Sequence, residues 1–273
     1  MRKQLIVFFV ISIILSVIFQ YLAISTGKLT LWVMAIMWSP GIAAITARLI
    51  YQRNLRNLGW GWGKTRYQII SYMLPLVPCL VVYGIVWLTG LGTFFADKYS
   101  SLVSRQLGLG SPLSFGLSLA IMMTVGIVFG MVPALGEEIG WRGFLVAELY
   151  KITSFTKTSI IIGLIWAVWH YPGILLTSYY SGNKPWYAIP CFTLMLLGMS
   201  FIMTWLRLKS GSLWTAVIFH ASHNFFIQAI FDPLTKYNKL TEYITSEFGI
   251  GMAVIYCMVA FLLWRRRSEL SKA

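Results

Sequence analysis

The sequence predicts an all-α, polytopic membrane protein of about eight transmembrane helices around an intramembrane polar pocket. Three observations carry that prediction. Of its 273 residues, 58% are hydrophobic and 11% charged, against about 25% charged in a soluble globular chain. The mean hydropathy is +0.74, and apolar runs of about 20 residues recur, the length that crosses a bilayer. The third observation is polar: ionisable residues at bilayer depth are costly and usually functional, and Glu137, Glu138, Arg142, His170, His220 and His223 all fall in or beside apolar runs.

The expected spans, in order, are 5–25, 30–48, 67–90, 113–135, 159–178, 186–206, 212–231 and 248–264. Backbone polar groups must be satisfied internally in lipid, so each is a helix. The first run exceeds the 7–15 apolar residues of a signal peptide and lacks a small-x-small cleavage site, so it reads as a retained span. Segment 51–66 mixes basic residues with Trp60 and Trp62 and reads as interfacial. Pro133 and Gly136 bracket the end of the fourth span, and a proline there kinks or restarts a helix. Glu137 is therefore expected near the start of a helix running from about 136 to 150. No inter-span segment is long enough for a soluble domain, so 1–273 reads as one transmembrane domain.

The formal net charge of +14 suggests nucleic acid, but no basic run makes a phosphate-tracking stripe. The basic residues instead lie between spans, 16 on one side and 6 on the other. The positive-inside rule then puts both termini in the cytoplasm of a multi-pass cell-membrane protein. Cys79, Cys191 and Cys257 are far apart and apolar in context, with neither a CxxC motif nor a disulfide framework.

The polar residues converge in depth. Glu137 lies about 13 residues before the basic loop near 151–157, His170 about 12 after it, and His220 about 8 after the loop at 207–211. At 1.5 Å per residue, all three sit roughly 12–20 Å from that boundary. One shared pocket, opening to the cytoplasmic side, is expected. Glu138 and Arg142 are four apart with the acid first, the favourable order for a helical ion pair. Glu137 is turned about 100° away and stays available. His220 and Asn224 share a face, and His223 points elsewhere. Glu148 reads as solvated.

EExxxR at 137–142, an aromatic four residues before a histidine at 166–170, and HxxxN at 220–224 occur in that order. This set resembles the CAAX protease and bacteriocin-processing (CPBP, or Abi) family of intramembrane endopeptidases, with 113–231 as its motif-bearing core. The resemblance implies proteolysis inside the membrane. Glu137 would be the general base, helped by His170. His220 and Asn224 would stabilise the oxyanion, and Glu138 and Arg142 would support the site. The second motif often opens with Phe in that family, and here it opens with Trp166, for which a modest packing change is expected. The resemblance also implies a peptide or lipidated-protein substrate, reached from the membrane lipid, with no nucleic acid. It leaves the oligomeric state unknown.

Glu137, His170 and His220 also make a Glu-plus-two-His set with room for a metal-bound water, so Zn²⁺ stays open beside the favoured reading without a cofactor. Two other functions stay open. Intramembrane Glu and His residues also mark proton-coupled transporters, although no internal repeat of the transporter kind is visible. A non-catalytic bacteriocin-immunity scaffold would carry the same motifs.

Overall fold

Without water to bond them, apolar segments close their own hydrogen bonds, and helices dominate the molecule. The computed structural model describes residues 2–177, 179–180, 182 and 184–270. Met1, Lys272 and Ser178, where the fifth expected span ends, lie outside the described residues. The principal helices are α1 (Arg2–Thr26), α2 (Leu29–Gln52), α3 (Thr65–Leu88), α4 (Ala96–Gln106), α5 (Phe115–Leu149), α6 (Phe155–Leu176), α7 (Pro185–Ser210), α8 (Trp214–Asn224) and α9 (Ile250–Arg265). Each expected span has its helical segment, and the protein is an all-α, multi-pass membrane protein.

Among the described residues, six helices are long and apolar enough to cross a membrane: α1, α2, α3, α5, α6 and α7. The other two expected spans are weaker for physical reasons. Helix α8 runs on as a π-helical stretch to Phe231, but His220, His223, Asn224 and Gln228 dilute its apolarity. Helix α9 has only 16 residues, about 24 Å at 1.5 Å per residue.

One expectation fails outright. No new helix starts at 136. Helix α5 runs without a break through Pro133 and instead changes register in π-helical stretches at Met122–Gly126 and Ile139–Leu145. Gly136 and Gly140 serve close helix packing rather than helix breaking. A Cβ on Gly136 would lie 2.7 Å from the Trp38 ring, and one on Gly140 would lie 2.7 Å from the Pro40 backbone. Small residues let membrane helices approach this closely. The second π-helical stretch then rotates the polar residues after Glu138 relative to those before it, and π-bulges often occur at functional sites.

Helix α7 is the most buried of the six spans. It packs against α6 on one side and α9 on the other. At the end of the bundle away from Arg2, strands Gly92–Phe94 and Thr235–Tyr237 pair antiparallel, with Gly92 opposite Tyr237. There the Asp232 carboxylate accepts from Tyr83 and Tyr237. Burial pushes that carboxyl up to about 6, against the pull of those two hydroxyls.

Gly140→Ala tests the α2–α5 contact. Its methyl group has no space beside Pro40, and overpacking a tight contact costs about 1–3 kcal/mol. A lower unfolding midpoint in detergent is expected, and an unchanged midpoint would show that α2 can retreat freely.

Candidate active site

Glu137 is 1% exposed and Glu138 fully buried. The two carboxylates have separate partners. Glu138 Oε1 accepts from Arg142 Nη1 at 3.0 Å and from His220 Nδ1 at 2.9 Å. The ion pair expected at 138 and 142 therefore exists, wholly buried, and it also holds His220. Glu137 Oε2 accepts from Trp166 Nε1 at 2.7 Å.

Trp166 sits at the centre of the arrangement. Its indole donates to Glu137, and the Arg142 guanidinium lies 4.2 Å from the ring centroid, a desolvated cation–π contact. The rings of His170 and His220 meet it edge-on at 5.9 and 5.3 Å. Its carbonyl binds His170 Nδ1 at 2.8 Å. A carbonyl only accepts, so that nitrogen carries the proton and Nε2 keeps its lone pair. The expected modest packing role understates Trp166. Its N–H gives Glu137 a donor that phenylalanine lacks.

Glu137, Trp166, His170, His220 and Asn224 line one cavity of about 140 Å³. The sequence-derived residues thus come together on three helices. Two acidic residues and one histidine depart from expectation. His223 does not point elsewhere: it lines the same cavity, because a helix face of i, i+3 and i+4 is broader than the 220–224 pair alone. Its Nδ1 bonds Tyr256 Oη at 2.8 Å, and its Nε2 lies 3.5 Å from Glu247 Oε1. Glu148 is not solvated. It is 2% exposed and accepts from Gln4 at 2.6 Å and from Lys151 at 2.8 Å.

Glu247 was missed. It lies in a polar segment between expected spans, which reads as loop. In the fold it turns inward, accepting from Tyr179 at 3.0 Å and Gln228 at 2.9 Å. Burial works to raise this carboxyl, but hydrogen bonds from His223, Gln228 and Tyr179 outweigh it and hold it below the usual range.

The cavity lining runs from mid-bundle towards Leu29, Tyr179 and Glu247. The same three residues also border an outer chamber of about 540 Å³. All belong to the end of the bundle opposite Arg2 and Lys151. The expected pocket near the basic end is thus matched in depth by His220, six residues into α8, but the lining leads the other way.

Among the described residues no three His, Cys, Asp or Glu side chains come together as a metal-holding group. Glu137 Oε2, His170 Nδ1 and His220 Nδ1 are each in a hydrogen bond, so the atoms left to hold Zn²⁺ would be Glu137 Oε1, His170 Nε2 and His220 Nε2.

Residues 118–226, which contain every one of these motif residues, match the family model of the type II CAAX prenyl endopeptidase Rce1-like proteins. Over that stretch the chain resembles the CPBP family. CAAX prenyl protease 2 of Methanococcus maripaludis is 37% identical over 95 residues, 33% of this chain and 35% of that protein. Lysostaphin resistance protein A of Staphylococcus haemolyticus is 23% identical over 266 residues, 95% of this chain and 67% of that protein. The stretch shared with the Methanococcus protein thus spans about a third of its length.

Tyr256→Phe isolates the His223 tie, because it removes one oxygen and little else. A buried imidazole nitrogen left without its partner costs about 1–3 kcal/mol. The expected result is a lower unfolding midpoint. An unchanged midpoint would show that His223 finds another partner.

Proposed function

We propose that the chain is an intramembrane endopeptidase that uses Glu137 to activate water. The observation that carries this reading is that the Glu137 carboxylate, the His170 and His220 imidazoles and the Asn224 amide, from three different helices, border one cavity. Glu137, with its Oε2 fixed by Trp166, takes a proton from a water in the cavity. The water oxygen attacks the carbonyl carbon of the scissile peptide bond. His170 Nε2, with its lone pair free, accepts a hydrogen bond from the same water. The oxyanion that forms faces His220 and Asn224, and such a donor contributes about 3–4 kcal/mol in a preorganised site. The C–N bond then breaks as Glu137 passes its proton to the leaving amine.

Charge balance supports the role of His220. Glu137 and Glu138 carry two negative charges and Arg142 one positive. A doubly protonated His220 makes the buried cluster neutral, and its Nε2–H is then a donor for the oxyanion. Glu138 and Arg142 position that imidazole without touching substrate.

The substrate class we propose is a membrane-associated peptide or a lipidated protein of the CAAX type. Val33, Ile36, Met37, Met195 and Met199 give the cavity an apolar wall that suits a lipid or an apolar side chain. With the basic end in the cytoplasm, the outer chamber would open on the opposite face, and substrate would enter from there rather than from the cytoplasmic side. A second reading, resistance without proteolysis, draws on the likeness to the lysostaphin resistance protein along nearly the whole chain. It predicts that Glu137→Ala retains protection.

The test uses wild type and Glu137→Gln in oriented vesicles, with a farnesylated CAAX peptide and a membrane-protein extract offered to each face in turn. New termini are sequenced. Wild type is expected to cleave from the outer-chamber face, and Glu137→Gln to be slower by about 10²–10⁴-fold. Equal cleavage by both proteins would sink the mechanism. Cleavage only from the basic face would sink the entry route alone.

A further inference from the structure

At the basic end of the bundle, remote from the catalytic cavity's mouth, lies a second cavity of about 810 Å³. It is framed by the ends of α2, α5 and α7 and by the start of α6. Four cations border it, Arg48, Lys151, Lys157 and Arg207, with Glu148 as the one carboxylate. Glu148 is already held by Gln4 and Lys151.

Cations near helix C-termini ordinarily complement the helix dipole, and Lys151 and Arg207 fit that role. Arg48 does not. It is 3% exposed, and its Nε has no hydrogen-bond partner. Among the described residues its one side-chain hydrogen bond is long, 3.4 Å from Nη2 to Asn54 Oδ1, and the Glu148 carboxylate is its electrostatic neighbour. A buried guanidinium N–H without an acceptor is costly, and the Arg48 side chain that carries it borders the open cavity. The cavity also receives the N-terminus of α6. Ser154 caps that 22-residue helix by accepting from Lys157 N, and helix N-termini favour anions. Lys157 and Ile152 are exposed beside it, so a membrane molecule has access.

We propose that this cavity binds a phosphate ester, with Arg48 and Lys157 as its main contacts. A guanidinium, ammonium groups and a helix N-terminus together match the tetrahedral, multiply accepting phosphate group. Basic pockets between helices at the cytoplasmic side of a bilayer take anionic headgroups. An anionic phospholipid and a soluble phosphate offer the same chemistry, and the experiment separates them. The proposal stands independently of proteolysis.

The full chain is placed in phosphatidylcholine nanodiscs. Retention of phosphatidylglycerol is measured by native mass spectrometry, and the thermal shift with inorganic phosphate is measured against chloride at equal ionic strength. Arg48→Gln and Lys157→Gln are compared with Lys98→Gln at the opposite end. Arg207 is left intact because its Nε braces the Arg142 carbonyl. Selective phosphatidylglycerol retention, weakened about fivefold by loss of either cation, would support a lipid headgroup. A phosphate shift lost in Lys157→Gln, without lipid selection, would support the site with a soluble ligand. Lys157 is exposed, so its variant decides the matter even if Arg48→Gln folds poorly. No difference between wild type and Lys157→Gln, or an equal loss in Lys98→Gln, would overturn the proposal.

Discussion

The Glu138 carboxylate is the point on which the rest of the site depends. Its Oε1 holds both Arg142 and His220, and none of the three groups meets water. Taking such charges out of water is expensive, and their mutual attraction repays it only with good geometry. That demand explains the surroundings. Trp166 faces the guanidinium, and α2 presses on Gly136 and Gly140. Glu138 and Arg142, four residues apart, meet within one helix.

This cluster leaves Glu137 free of a cation, at the cavity wall. Its only hydrogen bond is from Trp166. A second layer of polar residues, Tyr179, Gln228, Glu247 and His223, lines the same cavity, with Tyr256 bonded to His223. Their bonds join α6, α8 and α9 to the segment between α8 and α9, so the cavity is held open by a network rather than by apolar contacts alone.

Much of this was legible in the sequence because a membrane makes polar residues conspicuous. Glu137, Glu138, Arg142, His170, His220 and Asn224 stand out in apolar runs, and helical spacing gives the 138–142 pair directly. The failures have physical causes. Pro133 and Gly136 look like a break only if glycine is read for its backbone freedom rather than for close packing. Glu148 and Glu247 sit in segments whose local polarity resembles loop, and local polarity does not reveal a fold-back. Trp166 N–H and the Tyr256–His223 tie depend on contacts 29 and 33 residues away in sequence, which no periodicity encodes.

The central claim is that Glu138, Arg142 and His220 act as one buried electrostatic unit. A double-mutant cycle on Glu138→Gln and Arg142→Met, read by the free energy of unfolding in detergent, tests it most directly. Each single variant strands a buried charge and is expected to cost about 3–5 kcal/mol. The double variant strands none of that pair and should cost clearly less than the two losses together. Additive losses would contradict the account, because they would mean that the carboxylate and the guanidinium stabilise the fold without depending on one another.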